Sequence, residues 1–174
     1  MIDKVDYKIL IVDDEPDLLE ILAFQLEVLG CHPFQAKNGR EAFDLIKNQQ
    51  QQGQYFDAIL SDFNMPQMSG LALLKELRKS EFTVPFIFFT GYGDKEKTLE
   101  ALRLGALDFI DKPFNPQELM ASVTRAAELG RLMNEMDREF AEISLQYHVP
   151  DEKFDKIKKA QKELFRLRAL IQKN

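Results

Sequence analysis

Short apolar runs alternate with longer segments of helical period, and this alternation restricts the chain to one class of fold. The runs are KILIV at 8–12, PFQA at 33–36, AILS at 58–61, PFIFF at 85–89 and DFI at 108–110. Between them lie 15–29, 39–49, 70–79 and 95–104, with a further helical stretch from 116 onward. Leu18, Leu22, Leu26 and Leu29 recur at helical spacing, as do Leu71, Leu74 and Leu77. Gly30 and Gly105 stand where helix ends favour a residue of positive φ, and Pro116 stands in a first turn, where its missing N–H costs little. Five strands alternating with five helices predict an α/β domain with a parallel sheet and helices on both faces. Strands buried on both sides should read as continuous apolar runs, as these do.

With 174 residues, 45% of them apolar, the chain can build a real core and has length to spare beyond one domain. No apolar run approaches the roughly 20 residues needed to span a bilayer, and the amino terminus is acidic, so neither export nor membrane anchoring is expected. Cys31 is the only cysteine, which excludes an internal disulfide and, with two histidines, a structural zinc site. The expected compartment is the cytoplasm. A glutamine run at 49–52 reads as a flexible low-complexity loop between the second helix and the third strand. Residues 1–114 hold 12 basic and 19 acidic residues, a net charge of −7 and a poor surface for nucleic acid.

In open α/β sheets, ligands bind outside the carboxyl ends of the strands. The residues just past each apolar run are Asp13 and Asp14, then Asp62, Thr90 and Lys112. Singly, each has an ordinary explanation as a turn residue, a helix cap or a solvated charge. Five of them at the same ends of four strands ask for a chemical one. Adjacent strands lie about 4.8 Å apart, so if the first and third strands are neighbours, Asp13, Asp14 and Asp62 can share one cation. Mg2+ suits such a site, being a hard ion that takes few carboxylates and keeps waters. An Asp carboxylate can itself attack phosphorus, and Asp62 stands singly, leaving the paired Asp13 and Asp14 for the metal. Lys112 and the cation would spread the charge of a transferring phosphoryl group, and Thr90 could donate to its oxygen. Glu15 is expected to begin the first helix, where its negative charge is favoured.

The sequence resembles the receiver domains of two-component response regulators, which are CheY-like. The resemblance is carried by IVDDEP (11–16), LSDFNMPQMSG (60–70), FFTG (88–91) and FIDKPF (109–114), and it covers about residues 6–128. It implies a flavodoxin-like five-stranded parallel sheet of order 2-1-3-4-5. It implies that Asp62 is the phosphoacceptor, served by a histidine kinase or phosphotransfer protein. It also implies that Asp13 and Asp14 hold Mg2+ with Asp62 and the backbone carbonyl of Asn64. Thr90 and Lys112 would contact the phosphoryl oxygens, and Phe109 would turn inward when Thr90 moves. The family more often has Tyr at that position, so any bond from a hydroxyl is lost here. The fourth helix, fifth strand and fifth helix would form the output face.

Residues 129–174 extend past such a domain. Leu132, Met136, Phe140, Ile143 and Tyr147 continue an apolar stripe as far as Val149-Pro150, where the helix should break. A second helix is expected from Asp151, carrying Phe154, Ile157, Ala160, Leu164, Leu167 and Ile171, with about two heptads of coiled-coil spacing. These stripes need partners. A hairpin closing on itself satisfies them partly; a homodimer of two hairpins forming a four-helix bundle satisfies them better. No helix-turn-helix of adequate length follows, which argues against DNA binding. The expected function is therefore a signalling switch and not an enzyme acting on outside substrates. The alternative, a Mg2+-dependent phosphohydrolase with an aspartyl-phosphate intermediate, expects Asp-x-Asp after the first strand, and position 15 is Glu. A nucleotide-binding module is disfavoured because GYGDKE at 91–96 lacks the third glycine of a dinucleotide loop.

Overall fold

The computed structural model describes residues 6–91, 95–147, 152, 155–157, 159–160 and 163. Its elements follow the order β1 (Lys8–Val12), α1 (Pro16–Val28), β2 (His32–Ala36), α2 (Gly39–Gln51), β3 (Ala58–Asp62), α3 (Gly70–Lys79), β4 (Phe86–Thr90), α4 (Lys95–Arg103), β5 (Asp108–Asp111) and α5 (Pro116–Tyr147). The five strands form one parallel sheet in the order β2-β1-β3-β4-β5. This is the expected architecture, with a helix at the carboxy-terminal side.

The pleat sends alternate side chains to opposite faces, and the two cores follow from it. Ile9 and Ile11 of β1, Leu60 of β3, and Ile87 and Phe89 of β4 face α1 and α5. Leu10, Val12, Ile59, Phe86 and Phe88 face the other side, where α2, α3 and α4 pack. The central strands are therefore apolar on both faces. Gly30 (φ 84°) and Gly105 (φ 79°) take the positive φ expected after α1 and α4.

Three expectations change. Gln49, Gln50 and Gln51 belong to α2, and only Gln52, its C-cap, leaves the helix before Gly53 turns with φ 69°. Glutamine is a good helix former, so the run adds helix where a loop was expected. On α1 the core is made by Leu19, Leu22, Ala23 and Leu26, whereas Leu18 is half-buried and Leu29 is exposed. Glu15 is the N-cap of α1, one residue outside the helix, and its side chain makes no capping bond.

α5 continues for 32 residues without a break at 128. Its last buried residue is Met133; Met136 and Phe140 are half-buried, and Leu132, Ile143 and Tyr147 are exposed. The break at Val149-Pro150, the cap at Asp151, and Phe154, Leu164, Leu167 and Ile171 lie outside the described residues. Ile157 and Ala160 are helical and exposed. Among the described residues no helix is long and apolar enough to cross a membrane.

Candidate functional site

Pairing of β1 with β3 sets Val12 opposite Ser61, which brings Asp13 alongside Asp62. Asp13 is fully buried. Its backbone N–H donates to the Ala36 carbonyl at 3.2 Å, and its Oδ1 accepts from the Glu15 N–H at 2.9 Å. Asp62 closes β3, and its Oδ2 accepts from the Asn64 N–H at 2.7 Å. Close packing at α3 supports this turn: a Cβ on Gly70 would lie 2.2 Å from the Asp62 carbonyl oxygen, so only glycine lets the helix start there.

Lys112 arrives from the end of β5. Its N–H donates to the Thr90 carbonyl at 2.8 Å, and the peptide bond to Pro113 is cis. The ammonium donates to Asp62 Oδ1 at 2.7 Å and to Asp13 Oδ2 at 3.0 Å, and Glu15 Oε1 lies 3.9 Å away. Burial alone would push the Lys112 ammonium down, but the hydrogen bonds and charges of Asp62 and Asp13 outweigh it and hold the group above its ordinary value. Lys112 is thus firmly cationic at neutral pH. Truncating Lys112 would leave the Asp13 and Asp62 carboxylates facing each other without a cation, whereas truncating either carboxylate leaves the ammonium paired with the other.

Thr90 ends β4 and is buried, and Phe109 of β5 is half-buried with its ring stacked on Phe88 at 5.4 Å. Asp14 is exposed. The fold therefore places Asp13, Asp62, Thr90 and Lys112 together at one edge, with Asp14 and Asn64 at its rim. Among the described residues no cluster of three or more His, Cys, Asp or Glu side chains is close enough to hold an ion. The donor set nonetheless fits Mg2+. Two carboxylates on adjacent strands already share one cation, the Lys112 ammonium, all candidate ligands are hard oxygens, and Mg2+ needs only one or two carboxylates.

The family model of the response regulator receiver domain matches residues 9–124. The chain belongs to this family. The receiver is 38% identical over 129 residues to the regulatory protein AtoC of Escherichia coli (strain K12), covering 74% of this chain and 27% of that one. It is 34% identical over 115 residues to the response regulator SaeR of Staphylococcus aureus (strain USA300), covering 66% of this chain and 48% of that one. The chain thus spans between about a quarter and a half of the length of these relatives. Among solved structures, the chemotaxis protein CheY4 of Vibrio cholerae matches with TM-score 0.62 and 31% identity, over 70% of this chain and 99% of that one. A CheY-like receiver domain from Methanospirillum hungatei JF-1 matches with TM-score 0.66 and 29% identity, over 73% and 98%. Receiver domains are signalling modules of two-component systems, and response regulators interact with histidine kinases.

Two structural features at the amino-terminal ends of β4 and β5, across the sheet from the site, were not singled out in the sequence. Arg78, at the end of α3, donates to the carbonyls of Phe82, Val84, Leu104 and Gly105 and ties two loops together. Ser122 of α5 donates to Asp108 of β5 at 2.6 Å in the core. A lone Arg or Ser on a helix gives no sign of such partners.

Proposed function

We propose that this receiver accepts a phosphoryl group on Asp62, with Mg2+, from the phosphohistidine of a histidine kinase or phosphotransfer protein. The observation that carries the reading is the Lys112 ammonium, which joins Asp62 to Asp13 at hydrogen-bond distance. A carboxylate oxygen of Asp62 attacks phosphorus, the bond from phosphorus to the imidazole nitrogen breaks, and the imidazole leaves with the electron pair. Asp13, Asp14 and the backbone carbonyl of Asn64 would hold the ion with Asp62. When bound, Mg2+ supplies positive charge against the phosphoryl oxygens in flight. Lys112 neutralises charge on the same group, and the Thr90 hydroxyl donates to one of its oxygens.

These contacts exist only in the phosphorylated state, so they can shift a two-state equilibrium. Phe109 follows Thr90 in that shift. The receiver comprises residues 6–128, and residues 129–174 carry the output, which is homodimerisation through the carboxy-terminal helices. The exposed Ile143, Leu145 and Tyr147 on α5 supply part of that contact. The chain works as a cytoplasmic switch whose catalysis is confined to its own phosphorylation and dephosphorylation.

Incubation with a small phosphodonor and Mg2+ should give an acid-stable, base-labile phosphoryl group on the intact protein and none on Asp62→Asn. Equal labelling of both proteins refutes the assignment. Solution mass with and without phosphorylation tests the dimer, and a monomer in both states removes it.

A further inference from the structure

Phe109 and α5 lie on opposite faces of the sheet, so a movement of one has to cross the sheet to reach the other. The Phe109 ring stacks on Phe88, in the core beneath α2, α3 and α4. Its neighbours in β5, Asp108 and Ile110, point to the other face by the alternation of the pleat. Ile110 is buried there with Leu119, Val123, Ala126 and Ala127 of α5.

Asp108 spans the gap. β5 is an edge strand, and N–H groups on the outer side of an edge have no neighbouring strand to accept them. The Phe109 N–H donates instead to Asp108 Oδ1 at 2.7 Å. The second oxygen of the same carboxylate, Oδ2, accepts from Ser122 Oγ at 2.6 Å. Asp108 and Ser122 are both buried, and a hydroxyl this close to a carboxylate makes a short, charge-assisted bond. Arg125 also donates to Oδ2, but at 3.3 Å and from a side chain that is 57% exposed, where water screens an ion pair. The firm hold of α5 on this carboxylate is therefore Ser122. Its place in the sequence agrees: Ser122 sits on the buried face of α5 among Leu119, Val123 and Ala126, where neither packing nor helix propensity favours serine over alanine.

We propose that Ser122 is a positioning residue which, through the Asp108 carboxylate, makes α5 follow the backbone of Phe109. A carboxylate is planar, so its two oxygens cannot move independently. When the Phe109 peptide tilts, Oδ1 follows the N–H that it accepts, and Oδ2 draws Ser122 with it. The pull falls six residues into α5, about 9 Å from Pro116. The proposal rests on the reading of Phe109 as the moving residue, whereas the two bonds are independent of that reading.

The test follows the amide 15N resonances of Leu119 to Ala127 in the full-length protein, which ring currents barely touch. Phe109→Leu disturbs the switch residue without any phosphorylation. It should shift these resonances in the wild-type background and shift them less than a third as far in the Ser122→Ala background. Ser122→Cys, a weak donor of similar shape, serves the same comparison if Ser122→Ala fails to fold. Arg125→Met should keep at least two thirds of the response. Because each background is its own reference, a purely structural loss at Ser122 cancels. Equal shifts with and without the Ser122 hydroxyl overturn the proposal, as does a wild-type α5 that ignores Phe109→Leu or a response lost in Arg125→Met alone. A small phosphodonor with Mg2+ gives a second comparison: the α5 shift per labelled molecule should fall by the same threefold in Ser122→Ala, and an undiminished shift overturns the link. If the wild type takes no label, the phosphorylation reading fails, and the Phe109→Leu comparison still decides this one.

Discussion

Replacing Gly130 with Ala should destabilise the protein strongly, although alanine is the better helix former. Gly130 is buried within α5 where the helix crosses the start of β3. A Cβ there would lie 1.7 Å from the Asp57 carbonyl oxygen, 2.6 Å from its carbon and 3.0 Å from its Cα. An acceptable carbon–oxygen contact is about 3.3 Å, so α5 must retreat by roughly 1.5 Å from the strand. That retreat breaks the bonds from Asn134 to the Phe56 carbonyl and to Asp57 Oδ1, both already 3.3 Å long. It also strains Arg131, which donates to the Asp6 carbonyl and lies 4.2 Å from the Tyr7 ring centroid. Overpacking costs about 1–3 kcal/mol and each lost bond about 1 kcal/mol, against a gain of about 1 kcal/mol from helix propensity. The net loss is about 3 kcal/mol, which for a chain of this size lowers Tm by roughly 6–12 °C. Thermal unfolding followed by circular dichroism measures it. An unchanged or raised Tm, the result that propensity alone gives, would refute the close contact.

Burial raises the Asp57 carboxyl despite the hydrogen bond from the Lys8 N–H, the charge of Arg131 and the bond from Asn134. Because the folded-state value lies above the unfolded 3.8, its contribution to stability is complete below that pH and is lost as pH rises through the raised value. The stability of the wild type relative to Asp57→Asn should therefore fall across that acidic window and then level off; a difference independent of pH in urea titrations would contradict this. At the phosphorylation edge, Asp14→Asn should weaken Mg2+ binding and Lys112→Met should strengthen it by removing the competing ammonium. Calorimetric titration reads both, and unchanged affinity in Asp14→Asn counts against the metal assignment.

The sheet was legible because strands buried on both faces must be apolar throughout, which is what Ile9 to Val12 and Phe86 to Phe89 display. The edge residues were legible because parallel strands all end on the same side, so residues distant in sequence, such as Asp13 and Lys112, are collected by topology alone. What escaped the sequence is what depends on distance between elements. The sharing of one ammonium by two carboxylates, the four carbonyls gathered by Arg78 and the contact at Gly130 leave no local pattern. The glutamine run was misread for a different reason: low complexity suggests a loop, yet glutamine has good helix propensity and α2 had no stop signal before Gly53. On α1, leucine spacing picked out Leu22 and Leu26 correctly. It could not separate the buried Leu19 from the exposed Leu29, because that helix carries apolar residues on two opposite sides.

The clamp at Gly130 also limits how a signal can pass from one end of α5 to the other. The helix starts at Pro116, four residues after Lys112, and Ser122 ties it to Asp108 of β5. Fourteen residues later Gly130, Arg131 and Asn134 bind it to the opposite end of the sheet. If α5 moves as a rigid rod about that clamp, the arm toward the phosphorylation edge is about 21 Å and the arm from Gly130 to Tyr147 about 25 Å. A shift of 1 Å at Pro116 then moves the tip by only about 1.2 Å in the opposite sense. A lever with nearly equal arms transmits a small shift without enlarging it. Amplification must come instead from a bistable contact, in which a small displacement changes which surface is covered. The exposed stripe of α1 and the apolar residues near Tyr147 are the surfaces available for such an exchange.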